Sequence, residues 1–450
     1  MKNEAIKIDM LSGSLFRKIM LFAMPLIASG VLQQSFNAID IAIIGRFSTH
    51  QALAAVGSNG PVINILINLF IGVSVGANVV ISNYIGRKNN EGIRKSISTV
   101  SGIALISGIF LLFLGFFMAR PILELMNTPS DVIDLATRYL KIYFLGMPFM
   151  MIYNFGAAIM RSMGDTKRPF YSLVIAGIVN TLLNLLLVIK FGMDVEGVAI
   201  ATVAANFINA IFIIYWLRRE SEPFTLVVSK MNINYGEMRK MLQIGIPAGL
   251  QGMVFSVANT FIQSAINNYG SDAIAGSAAA LNYEVYCYFI MTAFCQASVA
   301  FISQNYGAGL YDRCRRIFRL CMLMSIVCCG ASNIIIAFNA EFFIGIFSTN
   351  PEVIAYGTTR IHCILLLQFL ASSYEISGSA LRGLGYSMTP TILTIFGTCV
   401  LRLIWIYTVC ADNNNFEMLL FIYPITWIIT GSAVYIAYRR ISRRVFQPRL

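Results

Sequence analysis

Apolar residues fill long runs of this chain, and short polar stretches separate them. The runs fall near 16–45, 56–83, 96–118, 133–159, 169–190 and 195–217, then near 238–268, 276–305, 316–338, 354–380, 390–411 and 416–438. About 20 apolar residues in a helix cross the hydrocarbon of a bilayer. Backbone N–H and C=O groups find no partner in lipid, so a spanning segment must satisfy its own as a helix. The expected fold class is an all-α membrane protein with twelve transmembrane helices.

Polar residues inside the runs recur at helical spacing. Ser29, Gln33, Asn37 and Asp40 follow one another by four, four and three residues, which puts them on one face of the first helix. Asn180 and Asn184 stand one turn apart in the fifth helix, and the sixth carries Thr202, Asn206 and Asn209. In the second half Gln368, Ser372, Glu375 and Ser379 again share a face.

The pattern repeats. Pro169 meets Pro390 at a shift of 390 − 169 = 221, and the same shift brings Arg161 onto Arg382 and Gly164 onto Gly385. One residue of slippage brings Pro25 onto Pro247 and Asn37 onto Asn259, at 222. Two pseudo-symmetric six-helix lobes are expected: residues 1–217, a cytoplasmic linker over 218–237, and residues 238–450. Duplicated apolar halves are the usual architecture of alternating-access transporters. Matched prolines inside helices one and seven suggest hinges at Pro25 and Pro247, because proline removes a backbone hydrogen bond. The alternative is the ordinary proline of membrane helices.

Charge changes the picture only in its placement. Hydrophobic residues make up 57% of the chain and charged residues 12%, with a net charge of +12. A soluble domain carries about 25% charged residues. The basic residues cluster in alternate loops: Arg87 with Arg94, Arg161 with Arg168, Arg218 with Arg239, Arg313 with Arg319, and the tail from Arg439 on. Acids such as Asp131, Asp194, Asp272 and Glu352 occupy the loops between. This is the positive-inside distribution of an inner (plasma) membrane protein with both termini cytoplasmic, and not a nucleic-acid footprint. The nine cysteines all lie from Cys287 to Cys410 without CxxC spacing, so neither a disulfide frame nor a metal site is expected.

Acids within apolar spans are costly and mark functional positions. Asp40 is the sharpest, with Asn37, Asn180, Asn184 and Thr202 as partners that can ligate a small hard cation or hydrogen-bond a protonated acid. The alternatives are interhelical polar glue for the amides and a satisfied interfacial carboxylate for Asp40. The repeat supplies a control: Asp40 corresponds to Ile262, Asn180 to Leu401, Asn184 to Trp405 and Thr202 to Tyr423, so the cluster exists in one half only. Glu284 and Glu375 are second candidates, and Arg402 lies deep enough to pair with either. Met147 and Tyr153 belong to a methionine- and aromatic-rich fourth helix suited to loose binding of apolar cations, or simply to packing. Gln33, Met147, Tyr153, Asn154, Asn206, Asn259, Glu284 and Glu375 are the candidate cavity residues. Gly72-Val73-Ser74-Val75-Gly76 spells the hydrolase elbow, but inside a helix it reads as a G-x-x-x-G packing face. No Walker A pattern is present, and no cofactor is expected.

The segments QQSFNAIDIAIIGRF, ALAAVGSNGP and AAIMRSMGDTKRP, with the second copy SGSALRGLGYSMTP, resemble the multidrug and toxic compound extrusion family along the whole chain. The resemblance implies a V-shaped pair of lobes and export driven by protons or sodium. Asp40, Asn180 and Thr202 match positions of its DNA-damage-inducible F-like branch. Asn184 departs from that branch, which has an acid there, and the lost charge favours a proton over sodium. The acids of the other well-known branch fall here on Phe255 and Ala371, with Glu375 one turn beyond.

The expected function is a secondary efflux antiporter for amphiphilic, often cationic drug-like compounds, exchanging them for H+ or Na+. It is expected to act as a monomer among membrane lipids, without nucleic acid. The rival is a related flippase of lipid-linked precursors, which needs a basic cavity for pyrophosphate. A membrane-embedded enzyme is the alternative from a different class, and no nucleophile–base pair supports it.

Overall fold

The structure is a computed structural model that describes residues 7–126, 128–227, 232–410 and 415–447. Residues 228–231 of the expected linker lie outside the described residues. Among the described residues every regular element is helical.

The first half holds α1 (Leu15–Phe47), α2 (His50–Gly86), α3 (Asn90–Leu125), α4 (Ile133–Leu145), α5 (Met147–Ser162), α6 (Lys167–Asn184) and α7 (Val195–Arg218). Wider π-helical turns over Leu185–Lys190 extend α6. The second half holds α8 (Tyr235–Asn267), α9 (Ser271–Gly307), α10 (Tyr311–Phe338), α11 (Ala340–Gly345), α12 (Pro351–Arg360), α13 (Ser372–Gly383), α14 (Met388–Thr394), α15 (Leu401–Thr408) and α16 (Phe416–Val445). Among the described residues eleven helical stretches are long and apolar enough to span a bilayer, and α4 with α5, bent by 48° at their junction, makes a twelfth when the pair is taken as one span. The bend sits at Gly146, followed by Pro148 in the first turn of α5, where a missing N–H costs nothing.

Short polar connections start the helices. Thr49 accepts from the Ala52 amide at 3.2 Å, and Asn89 accepts from Gly92 at 2.9 Å. Each satisfies one of the orphan donors of a helix N-terminus.

The chain forms two compact units. One takes in Ala28–Gly249 together with the chain up to Asp9; the other takes in Met10–Ile27 and Leu250–Leu450. The change of unit falls two residues after Pro25 in α1 and two residues after Pro247 in α8. The sequence halves and the compact units thus divide the chain at different places.

In the first unit α8 crosses α2 at backbone contact. A Cβ on Gly72 would strike the Gly249 backbone, and one on Gly76 would strike the Met241 carbonyl. Gly245 in turn lies against Val73, and Gly249 against Leu69. Ser74 donates to the Ile71 carbonyl of its own helix at 2.7 Å. The G-x-S-x-G letters are therefore a helix-crossing face.

Elsewhere in this unit Lys7, ahead of α1, is held by ion pairing. Lys7 meets Glu220 at 2.5 Å, and Arg168 meets Glu220 at 2.6 Å. Arg168 also pairs with the wholly buried Asp165.

In the second unit the start of α1 packs on α9, with Phe22 edge-on to Phe301 at 5.5 Å. Arg313 donates to the carbonyls of Ser12 and Gly13. The span containing α12 and α13 is broken by π-helical turns over Ile361–Leu365 and a 3-10 turn over Gln368–Ala371.

Candidate functional site

Asp40 projects from α1 toward two helices of its unit. From α6, Asn184 Nδ2 donates to Asp40 Oδ1 at 2.5 Å. The same nitrogen lies 3.4 Å from Asn180 Oδ1, one turn earlier. Phe36, one turn before Asp40, covers Gly177, and a Cβ there would run into the ring. Glycine thus lets α1 approach α6 closely enough for the carboxylate to reach the amides. Phe36 with Gly177 and Asp40 with Asn184 advance along both helices in the same direction, so these helices run parallel.

From α4, Tyr139 and Tyr143 bring their hydroxyls within electrostatic reach of Asp40. Their rings stack at 5.9 Å. The sequence reading missed this pair, although its spacing of four places both rings on one helical face.

The carboxylate is half-buried, and the two asparagines are buried. Asn184 Oδ1 is buried without a hydrogen-bond partner. An unsatisfied buried acceptor costs about 1–3 kcal/mol. The group of oxygens around Asp40 can hold a proton on the carboxyl, or offer hard ligands to a small cation. Among the described residues no three His, Cys, Asp or Glu side chains converge as a metal site.

The other expected partners stand apart. Thr202 donates to the Val198 carbonyl of its own helix at 3.0 Å. Asn37 and Gln33 are exposed on α1. Asn154 donates back to Met150 at 3.0 Å. Tyr153 and Asn206 are half-buried, and Met147 is wholly enclosed in the core of its unit.

In the second unit Asn259 is exposed on α8. Glu284 is held by a buried guanidinium: Arg360 donates through Nε at 2.6 Å and through its NH2 group at 3.1 Å. Gln368, at the break in the span, donates to the Glu284 carbonyl at 2.9 Å. Glu375 is buried beside Tyr288, within reach of the Arg382 charge.

The expected pairing of Arg402 with one of these acids is corrected. Arg402 stands 4.2 Å over the Tyr423 ring and points Nε at the Thr426 hydroxyl. Among the described residues Arg168, Arg360 and Arg382 are buried as well as Arg402. Glu284 matches Arg360, while Asp165 and Glu220 match Arg168. Arg382 donates to Gln251 at 2.7 Å.

The repeat positions of the cluster are occupied differently. Ile262 is buried and apolar. Trp405, at the place of Asn184, donates to the Met418 carbonyl at 3.1 Å.

Comparison with known proteins bears on the whole chain. The MatE family model matches twice, over residues 25–186 and 247–408. Both ends of the two matches are 222 residues apart (247 − 25 and 408 − 186), the shift that aligns the two prolines. The chain is similar to the probable multidrug resistance protein YoeA of Bacillus subtilis, at 29% identity over 85% of this chain and 84% of that protein. It is also similar to a protein of Shewanella oneidensis named FAD transporter, at 24% identity over 97% of each. A crystal structure of MATE in the straight conformation shares the fold, with a TM-score of 0.90 at 19% identity, covering 98% of each chain. The fold is thus that of solved transporters, and with both of its halves matched the chain belongs to the MatE family of membrane transporters.

Proposed function

We propose that this protein is a secondary antiporter that exports amphiphilic, often cationic compounds across the plasma membrane by alternating access, with the coupling ion bound at Asp40. The observation that carries the reading is the hydrogen bond from Asn184 to Asp40, in a cluster that the second half lacks. A structural brace common to the fold would be expected in both halves. The names of relatives such as YoeA support drug-like substrates. The concentration of arginine in alternate loops supports cytoplasmic termini.

The chemistry follows from the hydrogen-bond roles. An ionised Asp40 accepts from Asn184 Nδ2. A protonated Asp40 is itself a donor, and the unpartnered Asn184 Oδ1 can receive that proton if the amide turns over. Turning the amide also withdraws Nδ2 from Asn180. Loading the site therefore reverses the polarity of the contact between α1 and α6. A sodium ion would instead draw the carboxylate and amide oxygens together, with one charge fewer than a two-carboxylate site provides. The prolines at 25 and 247, each two residues from a change of compact unit, are the proposed points of bending.

The test is efflux of a fluorescent cation from proteoliposomes, with proton and sodium gradients imposed separately and flavin dinucleotide added as a competitor in a parallel arm. One gradient is expected to drive export. Asp40→Asn is expected to abolish driven export at unchanged protein level. Export by that variant at the parent rate would overturn the role of Asp40, and competition by the flavin alone would move the substrate class to that of the Shewanella relative.

A further inference from the structure

The start of α10 and the end of α16 enclose a cleft of about 370 Å³ within the second unit. Its floor is aromatic. The Phe318 ring lies 3.9 Å from that of Tyr438 and 6.2 Å from that of Tyr435. These rings fill the space between the two helices and leave a furrow above them. Four arginines rim it: Arg315 and Arg319 from α10, and Arg439 and Arg443 from α16. No acid lines the cleft. Arg315 is neutralised by Asp312 at 2.7 Å and lies over the Phe446 ring. Arg319, Arg439 and Arg443 make no ion pair among the described residues.

Three unmatched guanidinium groups about one furrow repel one another unless an anion joins them. Guanidinium groups bind phosphate through paired N–H donors, and a volume of this size suits a small polar group. The surface leading away from the arginines is apolar and exposed: Leu323 and Val327 on α10, and Tyr435 and Ile436 on α16. A ligand that fits both parts has a phosphate at one end and hydrocarbon at the other. Positive-inside charge alone explains arginine near a membrane surface. It does not explain three unpaired arginines drawn from two helices around one aromatic-floored furrow that opens onto a lipid-facing wall.

We propose that this cleft binds the headgroup of an anionic glycerophospholipid, with the phosphate between Arg319, Arg439 and Arg443 and the acyl chains along the exposed flanks of α10 and α16. The lipid holds the two helices together beside the contacts of Phe318 with Tyr435 and Tyr438. Salt weakens the binding, as it does any contact among exposed charges.

The experiment titrates the purified full-length protein in neutral detergent with phosphatidylglycerol, phosphatidylcholine or inorganic phosphate. Retained lipid is counted by native mass spectrometry, and the unfolding midpoint is followed. Phosphatidylglycerol is expected to stay bound and to raise the midpoint, whereas phosphatidylcholine is expected to do neither. The triple variant Arg319→Ala, Arg439→Ala, Arg443→Ala is expected to weaken phosphatidylglycerol binding at least tenfold. The control Arg87→Ala, Arg94→Ala removes two exposed charges from another basic loop and is expected to change it less than twofold. Equal losses in both variants would reduce the effect to general surface charge and overturn the site. Equal retention of phosphatidylcholine would overturn headgroup selection. Inorganic phosphate displacing the lipid at similar concentration would assign the cleft to free anions and overturn the lipid reading.

Discussion

Asn184 spends its one amide nitrogen on two oxygens, 2.5 Å from Asp40 and 3.4 Å from Asn180, and leaves its own oxygen buried without a partner. That residue is the hydrogen-bonded contact between α1 and α6 on which the proposed coupling rests. Asn184→Ala removes the donor and leaves a half-buried carboxylate without its amide partner. A hydrogen bond to a charged group is worth about 1.5–3 kcal/mol. Efflux in proteoliposomes is expected to fall about tenfold or more, at unchanged protein level.

The opposite change adds a charge. Asn184→Asp puts a second carboxylate beside Asp40, and paired carboxylates favour a hard cation over a lone one. Efflux by this variant is expected to acquire stimulation by sodium at fixed pH. A sodium response identical to that of the parent would count against the site as a place where cations bind.

The Glu284–Arg360 pair is buried on both sides, and removing one partner strands the other. Such losses cost about 3–5 kcal/mol, whereas replacing both partners by apolar groups is often neutral. Glu284→Gln and Arg360→Met are each expected to lower the unfolding midpoint in detergent. The double variant Glu284→Leu, Arg360→Met is expected to recover most of that loss.

Glu220 lies outside the membrane-spanning helices and lends itself to a pH test. Burial pushes its carboxyl up, but the Lys7 ammonium and the Arg168 guanidinium outweigh burial and hold it below its ordinary value of 4.5. The stabilisation from a depressed carboxyl is complete above the unfolded value and is lost as pH falls through the folded one. Glu220→Gln is therefore expected to lower the thermal midpoint at pH 7, and the gap to the parent is expected to close below about pH 4.5. A gap that stays constant down to pH 3 would mean that the carboxylate charge contributes nothing.

The crossing of α2 and α8 has no room for a side chain. Gly76→Leu or Gly245→Leu forces two backbones apart, and overpacking of this kind costs about 1–3 kcal/mol, occasionally more. Both variants are expected to show lower thermal midpoints. Ser74→Ala, one residue from Val73 at the same crossing, removes only a bond to its own helix and is expected to leave midpoint and efflux unchanged.

Much of this was legible in the chain. Lipid forces helices, so run lengths alone marked the spans, and the sixth, at 195–217, meets α7 within one residue. The spacing of Asp40, Asn180 and Asn184 pointed to groups on helical faces, and the pairs matched at shifts of 221 and 222 marked the repeat. Long-range partners were less legible. Glu284 and Arg360 lie 76 residues apart, and nothing in the pattern favours Arg360 over Arg402 as the partner. Tyr139 and Tyr143 were hidden because the bend at Gly146 turns α4 out of line with α5, so that their face cannot be extrapolated from one straight helix. Asn37 and Thr202 share the expected faces, yet one is exposed and the other is turned back on its own carbonyls. Periodicity assigns a face but not a rotamer.

Neither compact unit is a contiguous length of polypeptide, because Met10–Ile27 belongs with the second and the α8 turns up to Gly249 belong with the first. A protease cut in the loop between α7 and α8 would therefore not release two self-sufficient pieces. The amino-terminal fragment would carry Phe22 without the Phe301 ring it packs on, and would lose the Gly245 and Gly249 surface that covers Gly72 and Gly76. The fragments would have to be assembled in each other's presence.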